Sequence, residues 1–143
     1  MYLIDTNVIS EARKRERADP GVLAFFRTAV ARDEALYLSV VTIGELRRGV
    51  ELIRHRSDEP QARLLERWMG SVLRDYASQI LGFDADAAQV WGRLRVPHPE
   101  HELDKQIAAI ALVHDLTVVT RNVLHFRSSG VKLLDPFGSQ AGS

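Results

Sequence analysis

Three acids and one amide in this sequence stand where carboxylate chemistry would be well placed: Asp5, Glu45, Asp104 and Asn122. Asp5 ends the apolar run Tyr2-Leu3-Ile4, and Glu45 lies one turn into the stretch that follows Leu36–Val41. Asp104 opens an alanine-rich stretch ending at His114, and Asn122 follows Leu116–Thr120. Carboxylates gathered at one point repel each other and hold each other's pKa up unless a cation neutralises them. A set of oxygen donors without Cys or His suits Mg2+ or Mn2+ better than zinc. Ions of that kind activate water and stabilise the leaving oxygen in phosphodiester hydrolysis.

Each of the four residues also has a purely architectural reading. Asp5 would cap the helix that follows it. Thr42-Ile-Gly-Glu45 fits a capping box, in which threonine and glutamate satisfy each other's backbone donors. Asp104 in a first helical turn is favoured by the helix dipole, and Asn122 is a common turn residue. Taken singly, the four leave both readings open; their joint placement favours chemistry.

That placement follows from the elements that must carry them. Tyr2–Ile4, Leu36–Val41, Ile80–Phe83, Leu116–Thr120 and Val131–Leu134 read as short buried strands rich in Val, Ile and Leu. Between them, helical patterns run over Pro20–Ala31, Thr42–Arg54, Pro60–Tyr76, Asp84–Arg95 and Asp104–His114. Pro20 suits a first helical turn. Leu64, Leu65, Trp68 and Val72 form one apolar stripe. Alternating strands and helices predict an α/β fold, a three-layer α/β/α sandwich around a parallel sheet of about five strands. In such sheets ligands bind outside the carboxyl ends of the strands, where all four candidates fall. Arg54–Arg63 and Val96–Leu103 read as loops, residues 1–137 as a single domain and 138–143 as a frayed tail.

Bulk properties narrow the chemistry further. A chain of 143 residues without cysteine excludes thiol catalysis, zinc–thiolate sites and disulfides. The apolar start is too short for a signal peptide, and no run approaches the ~20 residues of a membrane helix, so a soluble, cytoplasmic protein is expected. Nineteen Lys and Arg balance nineteen Asp and Glu, so a nucleic-acid footprint must be local. The candidate cations are Arg13, Lys14, Arg15 and Arg17, then Arg47 and Arg48, then Arg54 and Arg56, each set reading equally as a solvated face.

Other motifs lead nowhere. His98-Pro-Glu-His101 lacks the helical frame of a HExxH zinc site, and His114 suits a helix end. Trp68 and Trp91 read as core or interface anchors. No Gly-rich phosphate loop is present, and Ser10 and Ser39 lack a nucleophile elbow. Asn7 excludes a haloacid-dehalogenase-type phosphatase, which needs a second Asp there. Asp84, Thr120 and Lys132 are wrongly spaced for a response-regulator receiver.

Four strings, Leu3-Ile-Asp-Thr-Asn-Val-Ile-Ser-Glu11, Thr42-Ile-Gly-Glu-Leu-Arg-Arg-Gly49, Asp104-Lys-Gln-Ile-Ala-Ala109 and Leu116-Thr-Val-Val-Thr-Arg-Asn122, follow in order. Together they resemble PIN-domain ribonucleases, specifically the VapC/FitB-like toxins of type II toxin–antitoxin pairs, from Tyr2 to about Pro136. The resemblance implies that Asp5, Glu45 and Asp104 are the family's three acids, holding Mg2+ or Mn2+. It puts Asn122 at a fourth, often acidic, position. His125 stands where many relatives have an acid, and Thr6 and Thr120 match hydroxyls that support the acids. The implied activity is endonucleolytic RNA cleavage leaving a 3′-hydroxyl and a 5′-phosphate. The implied partners are a cognate antitoxin, a second copy of the chain, and operator DNA reached through the antitoxin. The stripe around Leu65 and Trp68 is a groove for an antitoxin helix. The competing reading is a PIN-like binding module with a degenerate site, which the neutral Asn122 and the zero net charge support.

Overall fold

The computed structural model describes residues 1–138. Five parallel strands run β1 (Tyr2–Ile4), β2 (Leu36–Ser39), β3 (Ile80–Leu81), β4 (Thr117–Val119) and β5 (Leu133–Leu134), in the order β3-β2-β1-β4-β5. Leu3 lies opposite Tyr37 on one side and Val118 on the other. β1 has the bounds its apolar run predicts and the other four strands are shorter: Val40 and Val41 after β2 turn directly into a helix, while the residues trimmed from β3, β4 and β5 lie in loops. Ser39 ends β2 and also caps the next helix.

Seven helices surround the sheet among the described residues: α1 (Thr6–Ala12), α2 (Pro20–Ala31), α3 (Val40–His55), α4 (Glu59–Asp75), α5 (Ala85–Leu94), α6 (Glu102–His114) and α7 (Val123–Phe126). Successive strand side chains point to opposite faces, and the two cores divide accordingly. Leu3 and Val118 join Ile107, Ile110 and Ala87 on the α5–α6 side. Ile4, Leu38 and Val119 join Val8, Val22, Leu46 and Met69 on the α1–α4 side. This is the expected three-layer sandwich. Ala108, Ala109 and Ala111 of α6 are fully buried; a methyl side chain lets that helix lie close to the sheet. No helix of the described residues is long and apolar enough to cross a membrane.

Two expectations need correction. Residues 54–63 are mostly helical, with only Arg56–Asp58 between α3 and α4. Arg54 bonds Glu51 at 2.6 Å, Glu66 at 2.8 Å and Glu59 at 3.1 Å, while Arg47 reaches Glu66 at 2.7 Å and Glu51 at 3.2 Å. The charges that suggested a solvated loop are the seam of a helical hairpin. Glu51 and Glu66 are held below the usual carboxylate range by these arginines, so Arg47 and Arg54 are already engaged. Second, Leu64 leaves the α4 stripe and is 54% exposed, whereas Leu65, Trp68 and Val72 turn inward.

The chain end packs onto the start of α2. Asp19 caps that helix through Gly21 N–H at 2.8 Å and also accepts from Gly138 N–H at 3.1 Å. The rest of the expected tail lies outside the described residues. A Cβ on Gly21 would collide with the carbonyl oxygens of Pro136 and Gly138. Gly21→Ala is therefore expected to dislodge Asp135–Gly138 and cost about 1–3 kcal/mol. Urea denaturation and amide exchange at the chain end check this, and an unchanged midpoint would contradict it.

Candidate active site

The strand order makes the crevice between β1 and β4 the switch point of the sheet, where chain connections leave in opposite directions and ligands bind. Asp5 continues β1 into this crevice, its N–H donating to Val119 C=O at 2.9 Å. It is only 3% exposed. One carboxylate oxygen accepts from Thr6 N–H at 2.8 Å, capping α1. The other accepts from the Thr120 hydroxyl at 2.7 Å and from Asn7 Nδ2 at 3.2 Å. Burial pushes the Asp5 pKa from 3.8 up to about 6; Thr120 and the Thr6 N–H pull it down, and the negative charges of Asp104 and Glu45 raise it again. Asp5 thus caps α1 and also feels the negative charge of Asp104 and Glu45.

Glu45 is not part of a capping box. The α3 cap is Ser39, whose hydroxyl accepts from Thr42 N–H at 3.1 Å, and Thr42 is fully buried inside the helix. With β2 and α3 contiguous, the helix begins earlier than the Thr-x-x-Glu spacing suggests. Glu45 is released for the cleft, where its Oε1 accepts from the Thr6 hydroxyl at 2.9 Å. That hydroxyl also lies 3.2 Å from Thr42 Oγ1, so Thr6 steadies Glu45 while its own amide steadies Asp5.

Asp104 lies in the first turn of α6, at the same edge because α6 runs antiparallel to the strands. Its Oδ2 is 2.9 Å from His125 Nδ1. Asn122 is exposed; its backbone N–H donates to Thr120 Oγ1 at 3.0 Å, placing it beside the support of Asp5. The His101 ring stacks on His125 with centroids 4.2 Å apart. Among the described residues, the three metal-capable side chains whose ligand atoms lie within 4.8 Å of one another are His101, Asp104 and His125, not the acidic trio.

The acids nonetheless fit a hard divalent cation. No Lys or Arg among the described residues forms an ion pair with Asp5, Glu45 or Asp104, and Asp104 meets only a histidine. A nearly buried carboxylate with two acidic neighbours and raised proton affinity calls for positive charge. Glu45 and Asp104 line one shallow cleft with His101, while Glu45 and Thr6 line a second with Arg13, Leu65 and Trp68.

Sequence reasoning missed Asn7 and His101. Asn7 bridges the two strand ends: its Nδ2 reaches Asp5 and its Oδ1 accepts from Arg121 N–H at 3.1 Å. Its place two residues after Asp5 was the available signal. His101 was paired with His98 in sequence, whereas the fold pairs it with His125.

Thr120→Val removes the hydroxyl that draws the Asp5 pKa down. It is expected to cost about 1.5–3 kcal/mol at neutral pH, and the loss shrinks once acid protonates Asp5. Denaturation at pH 7.5 and 4.5 checks this; an equal loss at both would contradict it.

The chain is similar to known proteins along nearly its whole length. A family model for the PIN domain matches residues 2–127. The chain belongs to the PIN-domain family. It is 35% identical to "Toxin FitB" of Neisseria gonorrhoeae over 142 residues, covering 96% of this chain and 99% of that protein. It is 33% identical to "VapC ribonuclease Y4jK" of Sinorhizobium fredii, covering 96% and 98% respectively. The structure of FitAB bound to IR36 DNA superposes with a TM-score of 0.83 at 32% identity, covering all of both chains.

Proposed function

We propose that this protein is the toxin of a toxin–antitoxin pair and a Mg2+- or Mn2+-dependent endoribonuclease, held in check by a cognate antitoxin. The observation that carries the reading is the placement of Asp5, Glu45 and Asp104 around the switch point with no Lys or Arg ion-paired to any of them among the described residues. The similarity to a VapC ribonuclease supports RNA as the substrate class, and the similarity to Toxin FitB supports the toxin role.

Asp5 and Asp104 would hold the cation, with Glu45 completing the set and Asn122 assisting. Held by these residues, a divalent ion would supply Lewis-acid activation of water and offset phosphoryl charge. The residues of the chain do the rest. Thr120 and the Thr6 N–H fix the Asp5 carboxylate, and the Thr6 hydroxyl fixes Glu45, so both acids are oriented before substrate arrives. Arg13, beside Glu45, makes no ion pair among the described residues and can meet a phosphate. Arg47 and Arg54 are excluded from that role by their carboxylate partners.

The similarity to FitAB bound to a DNA fragment supports an antitoxin partner and operator DNA reached through the complex; in this reading the antitoxin covers the acidic cleft and the toxin forms a homodimer. The groove lined by Leu65 and Trp68 opens beside Glu45 and takes the antitoxin helix. Thermal stabilisation by Mn2+ separates the enzyme from a degenerate binding module. The wild type is expected to gain several degrees at millimolar Mn2+ and Asp104→Ala to gain none; equal shifts would favour the module.

A further inference from the structure

The His101–Asp104–His125 cluster is built on a braced frame. His101 precedes α6 with φ 59°, and four hydrogen bonds tie the residues on either side of it. The buried Lys105 donates Nζ to the His98 carbonyl. Arg95 Nε donates to Pro99 C=O at 3.5 Å and its Nη2 to Glu102 Oε1 at 3.2 Å. Trp91 Nε1 donates to Glu102 C=O at 3.1 Å. On the other side, the fully buried Phe126 anchors α7 and with it His125.

The donor set differs in kind from the acidic trio. Two imidazoles and one carboxylate are the ligands of zinc and its borderline neighbours, whereas Mg2+ takes oxygens. The ligand atoms lie within 4.8 Å of one another. His101 is exposed and His125 half-buried, so neither ring is locked by surrounding packing. Three protein ligands leave a fourth position for water.

We propose that His101, Asp104 and His125 form a second metal site, selective for Zn2+-class ions, that shuts off the nuclease by drawing Asp104 away from the Mg2+/Mn2+ centre. The binding half stands on the cluster alone; the inhibitory half rests on the ribonuclease reading. Asp104 is the single residue common to both sets, so an ion on the histidines and an active hard-cation centre compete for one carboxylate.

The test uses tag-free, full-length protein stripped of metal. Calorimetric titration with Zn2+ is expected to show one ion per chain, with affinity falling by roughly 100-fold or more in His101→Gln. Co2+ is expected to give the visible absorption of a tetrahedral site in the wild type and not in that variant. With Mn2+ present, one equivalent of Zn2+ is expected to suppress RNA cleavage by the wild type, while the rate of His101→Gln, measured against its own zinc-free value, does not change. Zinc binding that is absent from the wild type, or as tight in His101→Gln, overturns the site. Binding as expected with cleavage undiminished overturns the competition for Asp104. A wild type that binds zinc at this site yet never cleaves RNA with Mn2+ leaves the site standing and refutes the ribonuclease reading instead.

Discussion

Asp5→Asn is expected to make the metal-free protein more stable at neutral pH by roughly 1–2 kcal/mol while lowering RNA cleavage by at least about 100-fold. The two effects have one cause. A carboxyl whose pKa rises from 3.8 unfolded to about 6 folded is penalised for ionising in the native state. That contribution is fully favourable below pH 3.8, is lost as pH rises through about 6, and stays lost above it. The full cost above pH 6 is about 3 kcal/mol. Asparagine escapes it but returns part of the gain. Its oxygen keeps the Thr6 N–H bond and its amide faces Thr120, while Asn7 Nδ2 loses its acceptor. Urea denaturation in chelator at pH 7.5 and pH 4 measures this. A variant less stable than the wild type at pH 7.5, or a difference independent of pH, would contradict the assignment. Such a trade is expected of a residue kept for chemistry at a cost to the fold.

Phe126→Ala carries the largest expected loss of stability, about 3–5 kcal/mol, or roughly 10–15 °C in melting temperature. Phe126 is 1% exposed and packs with Ile107, Ile110 and Val118 in the core under α6. Removing the ring opens a cavity between α6 and α7, the helices that present Asp104 and His125. The contact of 2.9 Å between those two residues is expected to loosen with it. Phe126→Leu keeps most of the volume and is expected to cost under about 1.5 kcal/mol. Equal losses for Leu and Ala would refute the packing account.

Much of this was legible in the residues. Short runs of Val, Ile and Leu mark the five strands, and Pro20 marks the start of α2 at its observed position. The place of Asp5 after β1 and of Asn122 after β4 also follows from those runs. What was hidden depends on contacts between distant segments. Seven residues from Thr6 to Ala12 are too few to show a helical period, so α1 surfaced only as something for Asp5 to cap. The Thr42–Glu45 spacing imitates a capping box because Ser39, the true cap, is also the last residue of β2. Arg54 reads as solvated until α4 brings Glu66 back to it. His101 and His125 are 24 positions apart and meet where Lys105 holds the loop before α6 at His98 and Trp91 holds the first residue of α6.

The central claim, a metal-dependent ribonuclease working through the acids of the β1–β4 crevice, is tested most directly by cleavage of a mixed RNA pool. Purified wild type and Asp104→Ala are compared with Mn2+ and with chelator, both proteins first shown to melt cooperatively. Cleavage by the wild type in Mn2+ alone, with none from Asp104→Ala under either condition, is the predicted result. Equal cleavage by the two proteins, or cleavage that survives the chelator, would contradict it.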